Sequence, residues 1–195
     1  MARTGRPREF NRDDAVKKAM NLFWQKGFEG TSLADLRKTL NLSAASFYAA
    51  FGSKSVLYAE CLDLYTKTCG ETLSELENYS VSAKTAIQNM LKKTINLQTS
   101  SQTPSGCMAV LSGLNCCDDN KEVEALALSV RKKIRSALIQ CVDRGFESNE
   151  WKHGASANTV MMIIDTFING ISIQTRDGIA REELLAACDL LFESL

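Results

Sequence analysis

Few residues in this chain could do metal, acid–base or thiol chemistry. Seven cysteines stand at 61, 69, 107, 116, 117, 141 and 188, and the one histidine is His153. A structural zinc site wants about four Cys or His ligands at short paired spacings, and a chain without a CxxC does not supply them. No Gly-rich phosphate loop, HExxH or GxSxG occurs, so no enzyme, metal or cofactor is expected. Asp165 is the one oddity in an apolar stretch, read as a paired carboxylate or a pocket group, and one residue makes no active site. Cys107 stands apart among the thiols. Pro104-Ser105-Gly106-Cys107 puts it just past a loop at a helix start, where a thiolate would be stabilised. Cys116 and Cys117 are near enough in sequence to resolve an oxidised Cys107, so thiol-based sensing of electrophiles or oxidants is carried as an alternative function. Most of the cysteines are expected to be small apolar core residues in a reducing compartment.

The elements that hold these residues follow from length and composition. The 195 residues, 45% hydrophobic and 24% charged, suit one large or two small globular domains. Two prolines and eleven glycines leave little material for the turns of an all-β fold, so long helices are expected. No apolar run approaches the roughly 18 residues that span a bilayer, and no signal peptide opens the chain; the expectation is a cytoplasmic protein without a membrane partner. The charges balance at 23 basic and 23 acidic, but unevenly along the chain. Residues 1–60 hold ten Lys/Arg and six Asp/Glu, so a basic head precedes an acidic body and only the head suits a polyanion.

The head reads as three helices behind a basic arm. In the arm, MARTGRPREF, the stretch Gly5-Arg6-Pro7 flanked by Arg3 and Arg8 looks like the core of an AT-hook, whose guanidinium groups enter a narrow minor groove. Asn11 caps a first helix that carries Asp13 and Asp14 in its first turn and ends at Gly27. Ser32 opens a second with Asp35 three residues on, resembling a capping box. Asn41 breaks it, Leu42 plugs the turn, and Ser43 caps a third helix of only two turns. Phe47 and Phe51 fall on one side of that helix; Ala44, Ala45, Ser46, Tyr48 and Ala49 form a small, uncharged outer face. So short a helix needs neighbours to hold it, and its outer face fits a major groove. Lys54 opens a fourth helix against the macrodipole, which suggests another duty such as a phosphate.

The run from Gly27 to Tyr58, GFEGTSLADLRKTLNLSAASFYAAFGSKSVLY, resembles the DNA-binding domain of TetR-family transcriptional repressors. The resemblance lies in the Gly-aromatic break after helix one, the Thr-Ser start of helix two, and Phe-Tyr followed by Phe-Gly-Ser-Lys. It implies a homodimeric, all-helical repressor that binds a double-stranded operator and answers to a small-molecule inducer. It implies DNA contacts at Ser32, Ala44, Ala45, Ser46, Tyr48 and Lys54. The Gly106-Cys107 stretch is similar to the Gly-Cys segment of one branch, some of whose members sense electrophiles or oxidants. The chain departs from many relatives in its base-reading face, because alanines at 44, 45 and 50 cannot make bidentate base contacts. Specificity is then expected to lean on thymine methyls, DNA shape, the Ser46 hydroxyl, Arg37 or Lys38, and the Arg3, Arg6 and Arg8 arm.

The fold expected is all-α with about nine helices: a helix-turn-helix domain over 1–54 and a helical ligand-binding and dimerisation domain over 55–195. In the body, helix four is expected to run to about Tyr79, followed by helices over 82–101, 106–114, 121–147, 155–176 and 181–195. The run Arg131-Lys132-Lys133-Arg135 is read as solvated surface. Helix 155–176 is apolar almost all round and helix 181–195 has a second apolar stripe, so both are assigned to a two-fold interface. The expected pocket walls are Cys61, Tyr65, Met90, Cys107, Met108, Leu111, Met161 and Phe167.

Overall fold

Helix starts and stops along the chain are set by side chains that satisfy the orphan backbone groups at helix ends. The computed structural model describes residues 10–151 and 154–195, and for residues 68–70 the backbone path alone. Helix α1 (Arg12–Lys26) begins where Asn11 Oδ1 accepts from the Asp14 N–H at 3.0 Å, and ends at Gly27 with φ +74°. Helix α2 (Leu33–Leu40) carries a complete capping box between Ser32 and Asp35. It closes in a Schellman arrangement: Asn41 adopts the left-handed conformation and the Leu42 N–H reaches the Arg37 carbonyl at 3.0 Å. Ser43 caps α3 (Ala44–Phe51), whose Phe47 and Phe51 are buried.

Helix α4 (Lys54–Leu73) stops six residues short of the expected Tyr79 and tightens into a 3₁₀ turn, Ser74–Glu77. The tighter turn sends Leu76 into the body core and brings Glu75 to Lys93. Helix α5 (Ala83–Gln98) ends at Thr99, whose hydroxyl donates back to the Ile95 carbonyl. Helix α6 is a single turn, Met108–Leu111, rather than the expected 106–114. Gly106 sits at φ +79° immediately before it, and Ser112 Oγ donates to the Met108 carbonyl just after. A second 3₁₀ turn (Asp118–Asn120) leads into α7 (Lys121–Glu147), and α8 (Ala157–Arg176) and α9 (Arg181–Ser194) complete the chain. These nine helices are accompanied by no strand among the described residues, and none of them is long and apolar enough to cross a membrane.

Two apolar cores hold these helices. The first joins α1, α2 and α3 to the first half of α4, to α6 and to Val123 of α7. Its centre is aromatic: Tyr58 of α4 meets Phe23 and Phe28 edge-on, each at 5.3 Å between centroids. Packing therefore runs across residue 54 without a break. The second core joins α5, α7, α8 and α9. Asp165 of α8 is buried there, and Arg135 of α7 donates two hydrogen bonds to its Oδ2 at 2.9 and 2.6 Å. The basic run of α7 is thus only partly a solvated face, because Arg131 also donates to the Ala109 carbonyl and ties α6 to α7. On α8 and α9, Met162, Ile163, Ile173 and Leu190 remain exposed, so the single chain leaves part of both helices uncovered.

Gly106 is a tight backbone position between α6 and α8. A Cβ there would lie 2.4 Å from Leu111 Cδ1 and 2.7 Å from the Ser172 carbonyl oxygen. Gly106→Ala is expected to destabilise by about 1–3 kcal/mol through overlap and a disfavoured positive φ. Thermal denaturation should show Tm falling by roughly 3–10 °C; a Tm unchanged within one degree would contradict the packing described.

Candidate nucleic-acid interface and effector cavity

Among the described residues, the outer face of α3 is exposed. Ala44, Ala45, Ser46, Tyr48 and Ala49 are exposed, while Phe47 on the opposite side is fully buried. Phe47 and Phe51 touch at 5.6 Å, and Tyr48 lies edge-on to Phe47 at 5.7 Å. Tyr48 is half exposed (51%), with its ring against Phe47 on one side. Ser46 Oγ shares a hydrogen bond with the capping Ser43 Oγ at 2.9 Å, which fixes it at the N-terminal end of the helix. Ser32, the cap of α2, is also exposed, with its hydroxyl donated to Asp35 Oδ2 at 2.8 Å.

Lys54 does not extend freely into solvent. Its ammonium sits 4.0 Å from the centroid of the Phe28 ring, a cation–π contact. Burial draws its pKa below the ordinary lysine range, opposed by the charge of Glu29. The arm residues Arg3, Arg6 and Arg8 lie outside the described residues, but the base of the arm is anchored. Phe10 meets Phe51 edge-on at 6.1 Å, and Arg12 forks onto both carboxylate oxygens of Glu60 at 2.6 and 2.7 Å. These contacts put Phe10 and Arg12 beside Phe51 at the end of α3 and tie Arg12 to α4. Sequence patterning alone does not single out either residue.

A cavity of about 260 Å³ lies in the body, walled by α4, α5, α7, α8 and the residue before α6. Tyr65, Met90 and Cys107 of the expected set line it, together with Thr66, Thr72, Leu73, Thr94, Leu97, Gln98, Val130, Lys133, Ile134 and Ile168. The other five expected wall residues lie elsewhere. Cys61 is fully buried in the first core, its thiol toward the Val16 carbonyl; Met108 and Leu111 pack in the same core. Met161 and Phe167 belong to the second core, away from the lining. Gln98 was missed, although a polar residue ending the apolar stripe of Ile87, Leu91 and Ile95 is a signal that sequence could have offered.

Cys107 corrects the expectation of a stabilised thiolate. Burial pushes the thiol up, and this outweighs the Tyr65 hydroxyl and the Val110 and Ala109 N–H groups that draw it down. One helical turn has too small a dipole to offset full desolvation. The Tyr65 hydroxyl donates to Cys107 Sγ at 3.1 Å.

The head is gripped from the body at the end of α1. The Trp24 indole N–H donates to the Gly106 carbonyl at 2.9 Å, and its ring stands edge-on to Tyr65 at 4.9 Å. Arg176, at the end of α8, donates one hydrogen bond each to the Trp24 and Gln25 carbonyls, both at 2.9 Å. Beyond Gly27, the Phe28 N–H donates to the Ser112 carbonyl. Glu29 accepts from the Cys117 N–H and the Asn120 amide at 2.9 and 2.8 Å.

Comparison with known proteins bears on both regions. Residues 15–61 match the family model described as bacterial regulatory proteins, tetR family. The transcriptional repressor ComR of Escherichia coli is 30% identical over 182 residues, 93% of this chain and 87% of ComR. The chain belongs to the TetR family. The E. coli repressor BdcR is 27% identical over 98% of this chain and 92% of its own length. A cysteine mutant of the TetR-family regulator CifR, solved with 26-bp double-strand operator DNA, superimposes with a TM-score of 0.88 at 30% identity, covering 97% of this chain and 99% of CifR. As a TetR-family transcriptional regulator, the protein carries its helix-turn-helix in α2 and α3, with α1 and α4 as the frame.

The Glu29 contact makes a pH-dependent link in this regulator. Hydrogen bonds from Asn120 and Cys117 hold its carboxyl below the usual range. A depressed folded pKa contributes stability above the unfolded value of about 4.3, and the contribution is lost as pH falls through the folded value. Glu29→Gln should therefore lower Tm at pH 7 by only about 1–2 °C, because the group is well solvated. The difference should close below about pH 4; a gap that widens in acid would refute the link.

Proposed function

We propose that this regulator represses transcription by holding operator DNA as a homodimer and lets go when a compact, largely apolar molecule fills the body cavity. Residues 1–54 form the DNA-binding domain and 55–195 the ligand-binding and dimerisation domain. The contacts assigned to DNA are Ser32, Ala44, Ala45, Ser46, Tyr48 and Lys54, with Arg3, Arg6 and Arg8 of the arm. Lys54, set over Phe28, supplies a phosphate contact from a fixed position; the uncharged α3 face offers methyl groups to thymine. Support for the operator comes from CifR, a relative solved on a 26-bp duplex, and for repression from the names of ComR and BdcR. The exposed Met162, Ile163, Ile173 and Leu190 supply the dimer seam, which must hold two recognition helices about 34 Å apart.

One observation carries the release step: adjacent residues face the two sites. Cys107 lines the cavity, and the carbonyl of Gly106 accepts from Trp24 of the head. A ligand that displaces Cys107 moves the peptide on which α1 is hung. Release requires that the ligand bind the released spacing more tightly than the gripping one, and tight binding to both does nothing.

The test is operator binding by fluorescence anisotropy on the full-length protein, with and without a panel of small ring compounds. Wild type should lose roughly 5–150-fold in operator affinity with a binding compound present. Trp24→Phe should still take up the compound by calorimetry while losing most of that response. A response unchanged in Trp24→Phe would refute the route. For the DNA face, Lys54→Gln should weaken binding across all duplex sequences and reduce the slope of log affinity against log salt by about one. An unaltered slope would remove Lys54 from the phosphate contacts.

A further inference from the structure

Gln98 is a polar side chain in an apolar place. It is 3% exposed, on the last turn of α5, and lines the cavity. Its Oε1 accepts no hydrogen bond from the protein, and it is the one buried side-chain nitrogen or oxygen in that condition among the described residues. Other polar groups on the same wall are engaged within the protein. The Tyr65 hydroxyl is donated to Cys107 Sγ, the Thr94 hydroxyl points to Met90 Sδ at 3.6 Å, and the Thr66 hydroxyl is donated to the Asp63 carbonyl. An unsatisfied buried acceptor lowers folding stability, and leucine would fill the same volume without that penalty. The amide is therefore at odds with stability alone.

We propose that Gln98 sets the chemical class of the effector: a neutral, ring-sized apolar molecule that donates one hydroxyl proton to Gln98 Oε1. This deepens the effector reading of the cavity and rests on it. The size follows from volume. A cavity of about 150 Å³ admits benzene, so about 260 Å³ takes a ring with a short substituent. The polarity follows from the wall. An acceptor oxygen attracts a donor and repels a carboxylate, and desolvating an anion among Leu73, Met90, Leu97 and Ile134 is unfavourable. Lys133 reaches the lining from an exposed position, so its charge remains in water and does not balance an anion in the interior.

The test uses 4-propylphenol and propylbenzene as probes on the full-length protein, wild type and Gln98→Leu. Calorimetry gives the ratio of the two affinities in each protein, which cancels the greater hydration of the phenol. The preference for the phenol should be about tenfold larger in wild type than in Gln98→Leu. Ligand-free Gln98→Leu should melt roughly 2–6 °C higher than wild type, since it removes an unpaired buried acceptor. Equal ratios in the two proteins, failure of wild type to bind either probe, or a lower Tm for the variant would overturn the assignment. Operator anisotropy separates this from the release reading. Phenol bound through Gln98 without loss of operator affinity would defeat release and leave the ligand class standing. Operator loss with equal affinity ratios would do the reverse.

Discussion

An eight-residue helix closes only four backbone hydrogen bonds within its own residues and does not persist alone in water, so everything α3 presents depends on what grips its inner side. The grip is aromatic. Phe47 and Phe51 hold α3 in the same core in which Tyr58 stands edge-on to the stacked Phe23 and Phe28. Each buried ring is worth several kcal/mol on truncation, against the tenths that helix propensity could contribute over two turns. The Tyr58 hydroxyl is buried with Ser112 Oγ at 2.7 Å, and burial pushes its pKa up to about 12. A group so placed stays a neutral hydrogen-bonded phenol at any physiological pH. The frame of α3 is thus insensitive to pH at its centre.

The same cluster explains why head and body cannot move independently. Tyr58 belongs to α4, a helix that continues into the cavity wall at Tyr65. Trp24 lies against Tyr65, and Arg176 holds the last carbonyls of α1. Those carbonyls are the negative end of the α1 dipole, so a guanidinium fork there satisfies orphan acceptors and opposes the partial charge at once. Motion of α4, of the Gly106-Cys107 peptide or of the α8 end must be felt at α1. A packed interior of this kind transmits small displacements rather than absorbing them.

How much of this was legible in the sequence depended on whether a signal was local. Asn11, Ser32 with Asp35, Asn41 and Ser43 act within three residues of the helix ends they set, and their effect is legible in the sequence alone. Helix α7 read correctly over its full length because its apolar period is long and uninterrupted. Helix α4 was drawn too long, because the turn at Ser74–Glu77 is decided by Leu76 entering a core built from distant segments. The basic run of α7 hid two structural cations, since the partners of Arg131 and Arg135 are a carbonyl on α6 and a carboxylate on α8. The cavity was legible only at Tyr65, Met90 and Cys107. Soft and aromatic side chains mark cores and cavities alike, so type alone could not separate Cys61 or Met108, which pack tightly, from Met90, which faces space.

Cys107 shows the same limit for chemistry. Its position after a loop and before a helix is a local fact and points to an activated thiol. Its burial is not local, being made by Tyr65 of α4, the turn of α6 and the cavity wall from α7 and α8. Desolvation strongly disfavours a thiolate, whereas the N-terminus of a single-turn helix supplies little compensating dipole. The sulfur serves instead as the acceptor for the Tyr65 hydroxyl, in a peptide whose other residue holds Trp24. In this chain the Gly106-Cys107 pair links the cavity wall to α1: the glycine allows the close approach to Ser172, and the cysteine is small enough to leave the cavity open beside it.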